Sequence, residues 1–150
     1  MKKTAFCAAF ALIILLAGSS QATDGTYEVS KTDATLTPGA KGKASVTIAA
    51  KQGWHLNAQA PLTLKLLPTQ GVEVDKAKLG RSDLAQSNET SARFDIALTA
   101  AEPGKKTIEC EAGFVLCQED SCRPVREKLT LAVDVAAPEA PKAKRPAKKK

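Results

Sequence analysis

The residues of this 150-residue chain best suited to redox chemistry are its four cysteines, Cys7, Cys110, Cys117 and Cys122. A pair of thiols can pass electrons to another protein through a mixed disulfide, or it can form a bridge that only stabilises the fold. Cys7 lies in the apolar stretch at the amino terminus and is expected to be removed with it. Three cysteines then remain, and an odd number means that at least one thiol is free or pairs between molecules.

The two cysteines that can most readily close a local bridge are Cys117 and Cys122, separated by the polar residues 118–121. If those four residues form a hairpin loop, the cysteines are its closing cross-strand neighbours, whose separation of roughly 4.5 to 5.5 Å suits a disulfide. A bridge that closes six residues contributes only about 2 kcal/mol, against about 5 kcal/mol for one that closes a hundred. A polar loop is also accessible to an incoming thiolate. These points favour a redox-active pair over a structural bridge, and both interpretations stay open.

Charged residues near this pair act in opposite directions. Arg123, next to Cys122, and Arg126 favour the reactive thiolate form, whereas Glu119 and Asp120 disfavour it. The charges therefore do not decide between a redox-active pair and a structural bridge.

Cys110 is expected to serve a different purpose from the pair. It precedes Cys117 by seven positions, an odd spacing that places the two on opposite faces of a strand unless Gly113 forms a bulge. The predicted role of Cys110 is that of a small buried hydrophobic residue, although pairing with either of the other two cysteines stays open.

A metal site is the third interpretation of the cysteines. Three thiols and the only histidine, His55, match a Cys₃His zinc site in number. A single C-x4-C motif without a second pair is a weak signal, however, and His55 directly follows Trp54 in an apparent strand. We therefore predict no metal and no cofactor, a structural role for His55, and a core-anchoring role for Trp54. Cys–His nucleophilic catalysis is disfavoured because no third residue is identified that would orient the histidine.

The elements that must position these residues are predicted to be short β-strands. Apolar residues alternate with polar or small ones along most of the chain, the pattern of strands with one buried face. Pro-Gly and Gln-Gly pairs supply turns between them, and only residues 77–85 allow a turn or two of helix. The predicted strands span residues 27–31, 44–50, 62–67, 72–75, 94–99, 106–117 and 129–135.

The fold predicted from these strands is all-β, an immunoglobulin-like antiparallel sandwich formed by a single domain at residues 23–135. A small closed barrel is the alternative. The length is enough for one core and not for two.

The amino terminus resembles a cleavable bacterial signal peptide at residues 1–22. Lys2 and Lys3 are followed by the apolar run 6–17 and by the small-x-small sequence at residues 20–22. That run is about 12 residues long, shorter than the roughly 20 that span a membrane. We therefore expect the mature chain to begin at Thr23 and to reside in the periplasm or to be secreted.

The carboxyl-terminal segment, residues 136–150, is rich in lysine, alanine and proline and is predicted to be disordered. It holds six basic residues and one acidic residue, whereas residues 23–135 hold 14 basic and 15 acidic residues and are nearly neutral. Nucleic acid is therefore not an expected partner of this exported domain. The tail could attach weakly to anionic envelope surfaces, but a solubilising, solvated role is favoured.

Two motifs resemble the N-terminal periplasmic domain of the thiol:disulfide interchange protein DsbD and the related disulfide bond corrector family. The first is GWHLNA at residues 53–58, followed by Pro61. The second is GFVLC at residues 113–117, then CRP at residues 122–124, leading into the last strand. The resemblance spans residues 53–135, and the second motif is the more specific.

The resemblance implies an immunoglobulin-like fold that passes electrons by thiol–disulfide exchange, as an oxidoreductase or an electron-carrier domain. By the family's pattern, Cys122 forms the mixed disulfide with partners and Cys117 resolves it. The implied partners are thioredoxin-like or other periplasmic thiol proteins. Because the family's reductases continue into membrane-spanning segments that this chain lacks, a separate membrane electron donor is expected. The competing hypothesis is a non-catalytic envelope binding module in which the disulfide is structural.

Overall fold

The computed structural model describes residues 22–23 and 25–137. Most of the predicted signal peptide, residues 1–21, and the tail beyond residue 137 lie outside the described residues. Among the residues described, no helix has the length and hydropathy that crossing a membrane requires.

Alternation of apolar and polar residues produces two of the long strands where the sequence predicts them, whereas the last strand begins eight residues earlier than the predicted 129–135. Strand Lys41–Ala50 and strand Ser91–Thr99 pair antiparallel over nine consecutive positions, and both present every second residue to the interior. Val46 lies opposite Phe94 in this register, and both side chains are fully buried. The described strands are β1 (Ala22–Thr23), β2 (Tyr27–Thr32), β3 (Ala34–Leu36), β4 (Lys41–Ala50), β5 (His55–Leu56), β6 (Thr63–Leu66), β7 (Glu73–Val74), β8 (Lys78–Leu79), β9 (Leu84–Ser87), β10 (Ser91–Thr99), β11 (Gly104–Gln118) and β12 (Ser121–Val135).

Two six-stranded sheets face each other, which confirms the predicted immunoglobulin-like sandwich over the closed barrel. The first sheet has the order β1-β2-β4-β10-β7, with β9 also paired to β10. The second has the order β3-β12-β11-β6-β8, with β5 also paired to β11. All pairs are antiparallel except β3 with β12. The core between the sheets is aliphatic and aromatic, and its largest fully buried side chains are Phe94, Ile48, Leu64, Ile96, Leu98, Ile108, Leu116, Leu131, Val46, Val133 and Val135.

The longest element is the hairpin formed by β11 and β12, each of 15 residues. Every residue from Gly104 to Gln118 has a partner in the order Val135 to Ser121, without interruption. Gly113 is therefore not a bulge. Glu119 and Asp120 alone form the turn, so the loop has two residues rather than the four that the sequence suggested.

The segment at residues 77–85 differs most from its predicted structure. Instead of a helical turn or two, it contains the short strand β8, a single 3₁₀ turn at Arg81–Asp83 and the beginning of β9. The Asp83 carboxylate accepts a hydrogen bond from the Gly80 backbone N–H (3.0 Å), which closes this turn. Lys76 and Gly80 donate hydrogen bonds to the same carboxylate and lower the pKa of Asp83.

Candidate functional site

Cys117 and Cys122 form a disulfide one residue pair inside the turn of the β11–β12 hairpin. They lie directly opposite each other in the ladder, with their Cα atoms 4.1 Å apart. Directly opposite residues bring their side chains together, so the long ladder itself sets the register that makes the bridge. The cysteine pair predicted from the sequence is present.

The two bonded cysteines differ sharply in exposure. Cys117 lies on the inner strand β11, between β12 and β5, and only 3% of its surface is exposed. Cys122 lies on β12 beside the turn and is exposed. An incoming thiolate must approach a sulfur along the S–S axis, so an incoming group can reach the bridge through Cys122.

Asn57 covers the buried half of the bridge. Its side-chain Nδ2 donates to Cys117 Sγ at 3.3 Å and lies 4.0 Å from Cys122 Sγ. Its Oδ1 accepts hydrogen bonds from the backbone N–H groups of Gln59 (2.8 Å) and Ala60 (3.1 Å). An amide held in this way has one orientation, with its N–H groups directed at the sulfurs.

The loop at residues 57–60 is fixed from both sides. The Asn57 backbone N–H donates to the Val115 carbonyl of β11 at 2.9 Å. From the other side, the Arg81 guanidinium donates to the Asn57 carbonyl and, at 2.8 Å, to the Ala60 carbonyl. Asn57 is therefore held against the cysteines by residues that lie more than twenty positions away in the chain.

A groove of ≈ 860 Å³ runs beside the disulfide. Part of its lining comes from the segment that follows β4. There Gln52 (φ 52°) and Gly53 (φ 78°) make a two-residue turn, closed by a hydrogen bond from Trp54 N to the Lys51 carbonyl at 3.1 Å. Positive φ at both central positions is typical of a type I′ turn, and glycine adopts it without strain. The groove is lined by Ala50, Lys51, Gln52, Gly53, Trp54, His55, Leu56, Asn57, Ala58, Glu89, Thr90, Cys117, Glu119 and Cys122.

Arg123 does not act as the sequence suggested. Successive residues of a strand point to opposite faces, and Arg123 shares its face with buried Val125, not with Cys122. Its guanidinium lies over the Trp54 ring, 5.3 Å from the centroid, and donates to the Thr26 hydroxyl. Arg123 thus joins the two sheets at this end of the sandwich instead of stabilising a thiolate on Cys122.

Trp54 is the core anchor that the sequence predicts, and it also lines the groove. The ring is half-buried and packs against the core, as a core anchor does. Its remaining surface lines the groove beside the disulfide.

The proposed zinc ligands are not brought together. Cys110 lies on the core face of β11, opposite Leu129, whereas Cys117 lies on the other face and is bonded to Cys122. His55 is exposed, in register with Cys117 on β5. In the part of the chain that the structure describes, no three His, Cys, Asp or Glu side chains are grouped as metal ligands would be.

Cys110 is the free cysteine of the described residues and lies in the core, as predicted. Its thiol has no access to the other two sulfurs, because the uninterrupted register of β11 holds Cys110 seven residues from Cys117. Burial raises the pKa of Cys110 to about 12, with a smaller opposing effect from Lys31. Cys110 is therefore protonated at neutral pH and unreactive.

Comparisons with known proteins find similar solved structures but no sequence relatives. No protein-family model matches the chain, and no curated protein matches it in sequence. Similar solved structures include AggA, the major subunit of aggregative adherence fimbriae type I from Escherichia coli (11% identity, TM-score 0.42, 76% of this chain and 97% of that one). Another is WR4, a C. elegans MSP family member (12% identity, TM-score 0.37, 68% of this chain and 92% of that one). A third is the ASH/PapD-like domain of human CEP192 (11% identity, TM-score 0.40, 87% of this chain and 99% of that one).

Proposed function

We propose that this domain exchanges electrons with other proteins by thiol–disulfide exchange at the Cys117–Cys122 pair. The observation that carries the proposal is the asymmetry of the bridge: Cys122 is exposed at the hairpin tip, while Cys117 is buried beneath Asn57. Such a bridge presents one sulfur for attack and retains the other as an internal leaving group.

The exchange proceeds in two steps. The thiolate of a reduced partner bonds to Cys122 Sγ as the bond between the two cysteines breaks, and the electron pair of that bond stays on Cys117 Sγ as a thiolate. A second partner thiolate then attacks the partner's own sulfur in the mixed disulfide and releases Cys122 as a thiolate. The partner dithiol is oxidised by two electrons to a disulfide, and the pair in this domain is reduced by two electrons. The reverse sequence returns the electrons to another disulfide.

The bridge contributes little to the stability of the hairpin. The hairpin register is already fixed by 15 consecutive residue pairs, and a bridge that closes six residues contributes only about 2 kcal/mol in the chain-entropy model. A disulfide linking the two sheets would constrain the unfolded chain far more. The position of this pair at the hairpin tip is therefore better explained by the access it gives to an incoming thiolate than by a contribution to the stability of the fold.

The resemblance to the N-terminal domain of DsbD supports the same function. Under this proposal the domain acts in the periplasm or outside the cell, with thioredoxin-like or other thiol proteins as partners. Cys122 is the exchanging residue and Cys117 the resolving one, and a separate protein at the membrane supplies electrons.

A redox titration distinguishes this function from that of a binding module with a structural bridge. The mature domain, with Cys110 replaced by alanine to leave a single pair, is equilibrated with glutathione or dithiothreitol buffers, and the reduced fraction is measured by thiol alkylation. We expect a potential within the range of cellular thiol oxidoreductases, about −120 to −270 mV. A value below about −300 mV would indicate a structural disulfide and contradict the proposal.

A further inference from the structure

We propose that Asn57 is a catalytic residue of this exchange, because its side-chain amide stabilises the thiolate that forms on Cys117 when a partner attacks Cys122. The inference rests on the proposed function and assigns a role to a residue outside the cysteine pair. The contact that carries it is the 3.3 Å approach of Asn57 Nδ2 to Cys117 Sγ.

The contact stabilises one redox state more than the other. A neutral disulfide sulfur is a weak hydrogen-bond acceptor, whereas a thiolate carries a full charge and accepts strongly. Cys117 is almost fully buried, and burial alone opposes the formation of a charge on its sulfur. A fixed donor at this sulfur offsets that cost as the bond breaks and negative charge develops on the sulfur, so it lowers the barrier to exchange more than it stabilises the resting bridge.

The amide is positioned before the reaction begins. Its oxygen is occupied by the N–H groups of Gln59 and Ala60, and the loop is anchored by Arg81. No reorientation is needed when the charge appears, which is the condition under which a hydrogen-bond donor contributes most to a rate.

The position of the Asn57 amide also explains why a partner attacks Cys122 and not Cys117. Nδ2 lies 3.3 Å from the Cys117 sulfur and 4.0 Å from the Cys122 sulfur, so Cys117 is the better stabilised leaving group. The titratable side chains that line the groove at this sulfur are Lys51, His55, Glu89 and Glu119. Lys51 is paired with Glu28 at 2.5 Å. Among the described residues, Asn57 Nδ2 is the side-chain donor that contacts Cys117 Sγ.

The test compares three substitutions in the full mature chain. Asn57→Asp keeps the oxygen that accepts from Gln59 and Ala60 but replaces the donor with an acceptor, and Asn57→Ala removes both. Gln59→Ala is the matched control, because the exposed Gln59 contributes only its backbone N–H to the loop. The probe is dithiothreitol, which carries no charge other than that of its attacking thiolate, and the rate of reduction of each oxidised protein is measured by thiol trapping.

We expect Asn57→Ala to slow reduction about tenfold and Asn57→Asp to slow it further, since hydrogen bonds to charged groups are among the strongest in proteins. Gln59→Ala should leave the rate unchanged. Equal rates for wild type and both Asn57 variants would overturn the assignment. Absence of exchange in the wild type would instead contradict the proposed function.

A second measurement tests the role of Asn57 without any exchange partner. In a Cys122→Ser background the mature chain, without Cys7, has two thiols, and Cys110, with a pKa of about 12, does not titrate near neutral pH. The ultraviolet absorbance of the thiolate then reports Cys117 alone. Asn57→Ala, which removes the donor without adding a charge, is expected to raise the pKa of Cys117 in this background, and Gln59→Ala is not. An unchanged pKa would show that the amide does not stabilise the thiolate.

Discussion

Two regions of the same strand place a cysteine in opposite chemical situations. Near the middle of β11, Cys110 lies between the sheets, with 3% of its surface exposed and its pKa raised to about 12 by burial. Near the tip, Cys117 turns to the other face, bonds to exposed Cys122 and contacts Asn57. Residue type is the same in both regions. The face of the strand, and what packs against it, determines whether a cysteine is a free thiol in the core or one half of a bridge.

Under the proposed function, the core of the sandwich provides the stability and the hairpin tip provides the exchange chemistry. Substitution of Phe94 by alanine is expected to lower the free energy of unfolding by about 3–5 kcal/mol, because the ring is fully buried and leaves a cavity. Denaturant unfolding followed by circular dichroism measures this loss. A cost below about 1 kcal/mol would mean that the centre of the sandwich is not packed as described.

Removal of the bridge is expected to cost less than removal of the core ring. The double variant Cys117→Ala/Cys122→Ala should lose about 2 kcal/mol, since the bridge closes only six residues within a hairpin that is already paired. The same unfolding assay applies, with Cys110→Ala as a cysteine control. A loss above about 4 kcal/mol would mean that the bridge stabilises the fold as much as a core side chain does, and would favour a structural bridge.

Arg123 connects the hairpin tip to the rest of the sandwich through Trp54 and Thr26. Arg123→Ala should lower stability by about 1 kcal/mol through loss of the stack on Trp54. Trp54 is the only tryptophan, so its fluorescence should shift with the substitution. Arg126→Ala is the matched control: Arg126 is 82% exposed and pairs with Glu111 at 3.5 Å, and its loss should cost less than about 0.5 kcal/mol. Equal effects of the two substitutions would argue against the stack.

The smallest effect at neutral pH is expected from ionisation of Cys110. In the unfolded chain this thiol loses its proton near pH 9, whereas in the folded protein it keeps the proton up to about pH 12. Its contribution to stability is therefore fully present below pH 9 and is lost as the pH rises toward 12. Unfolding of wild type and Cys110→Ala across pH 8–11 should show the wild type losing stability faster above pH 9. Parallel curves would mean that Cys110 is accessible to water.

The long strands with strict alternation can be predicted from the local sequence pattern, whereas the short peripheral strands cannot. The strict alternation in 44–50 and 94–99 predicts β4 and β10, because each strand has one face on the core. Strand β9 has no such alternation and is mostly exposed; it forms by pairing with β10 across an irregular register. Short strands of this kind depend on a neighbour that only the folded chain supplies.

The sequence predicts the two bonded cysteines of the site but not the residues that surround the bridge. The spacing of Cys117 and Cys122 is a local signal that a hairpin explains. Asn57 reaches Cys117 only through the pairing of β5 with β11 and lies sixty positions away in the chain; within the sequence it appears as one residue of the GWHLNA motif. Arg123 could have been placed correctly from the sequence, since strand alternation puts it on the opposite face from Cys122.

The most direct test of the central claim is to identify which sulfur accepts an incoming thiol. The oxidised Cys110→Ala protein is mixed with glutathione, quenched with acid at short times and digested, and the glutathione adducts are assigned by mass spectrometry. We predict adducts on Cys122, with few or none on buried Cys117. Adducts chiefly on Cys117, or none on either cysteine while the bridge stays intact, would contradict the account.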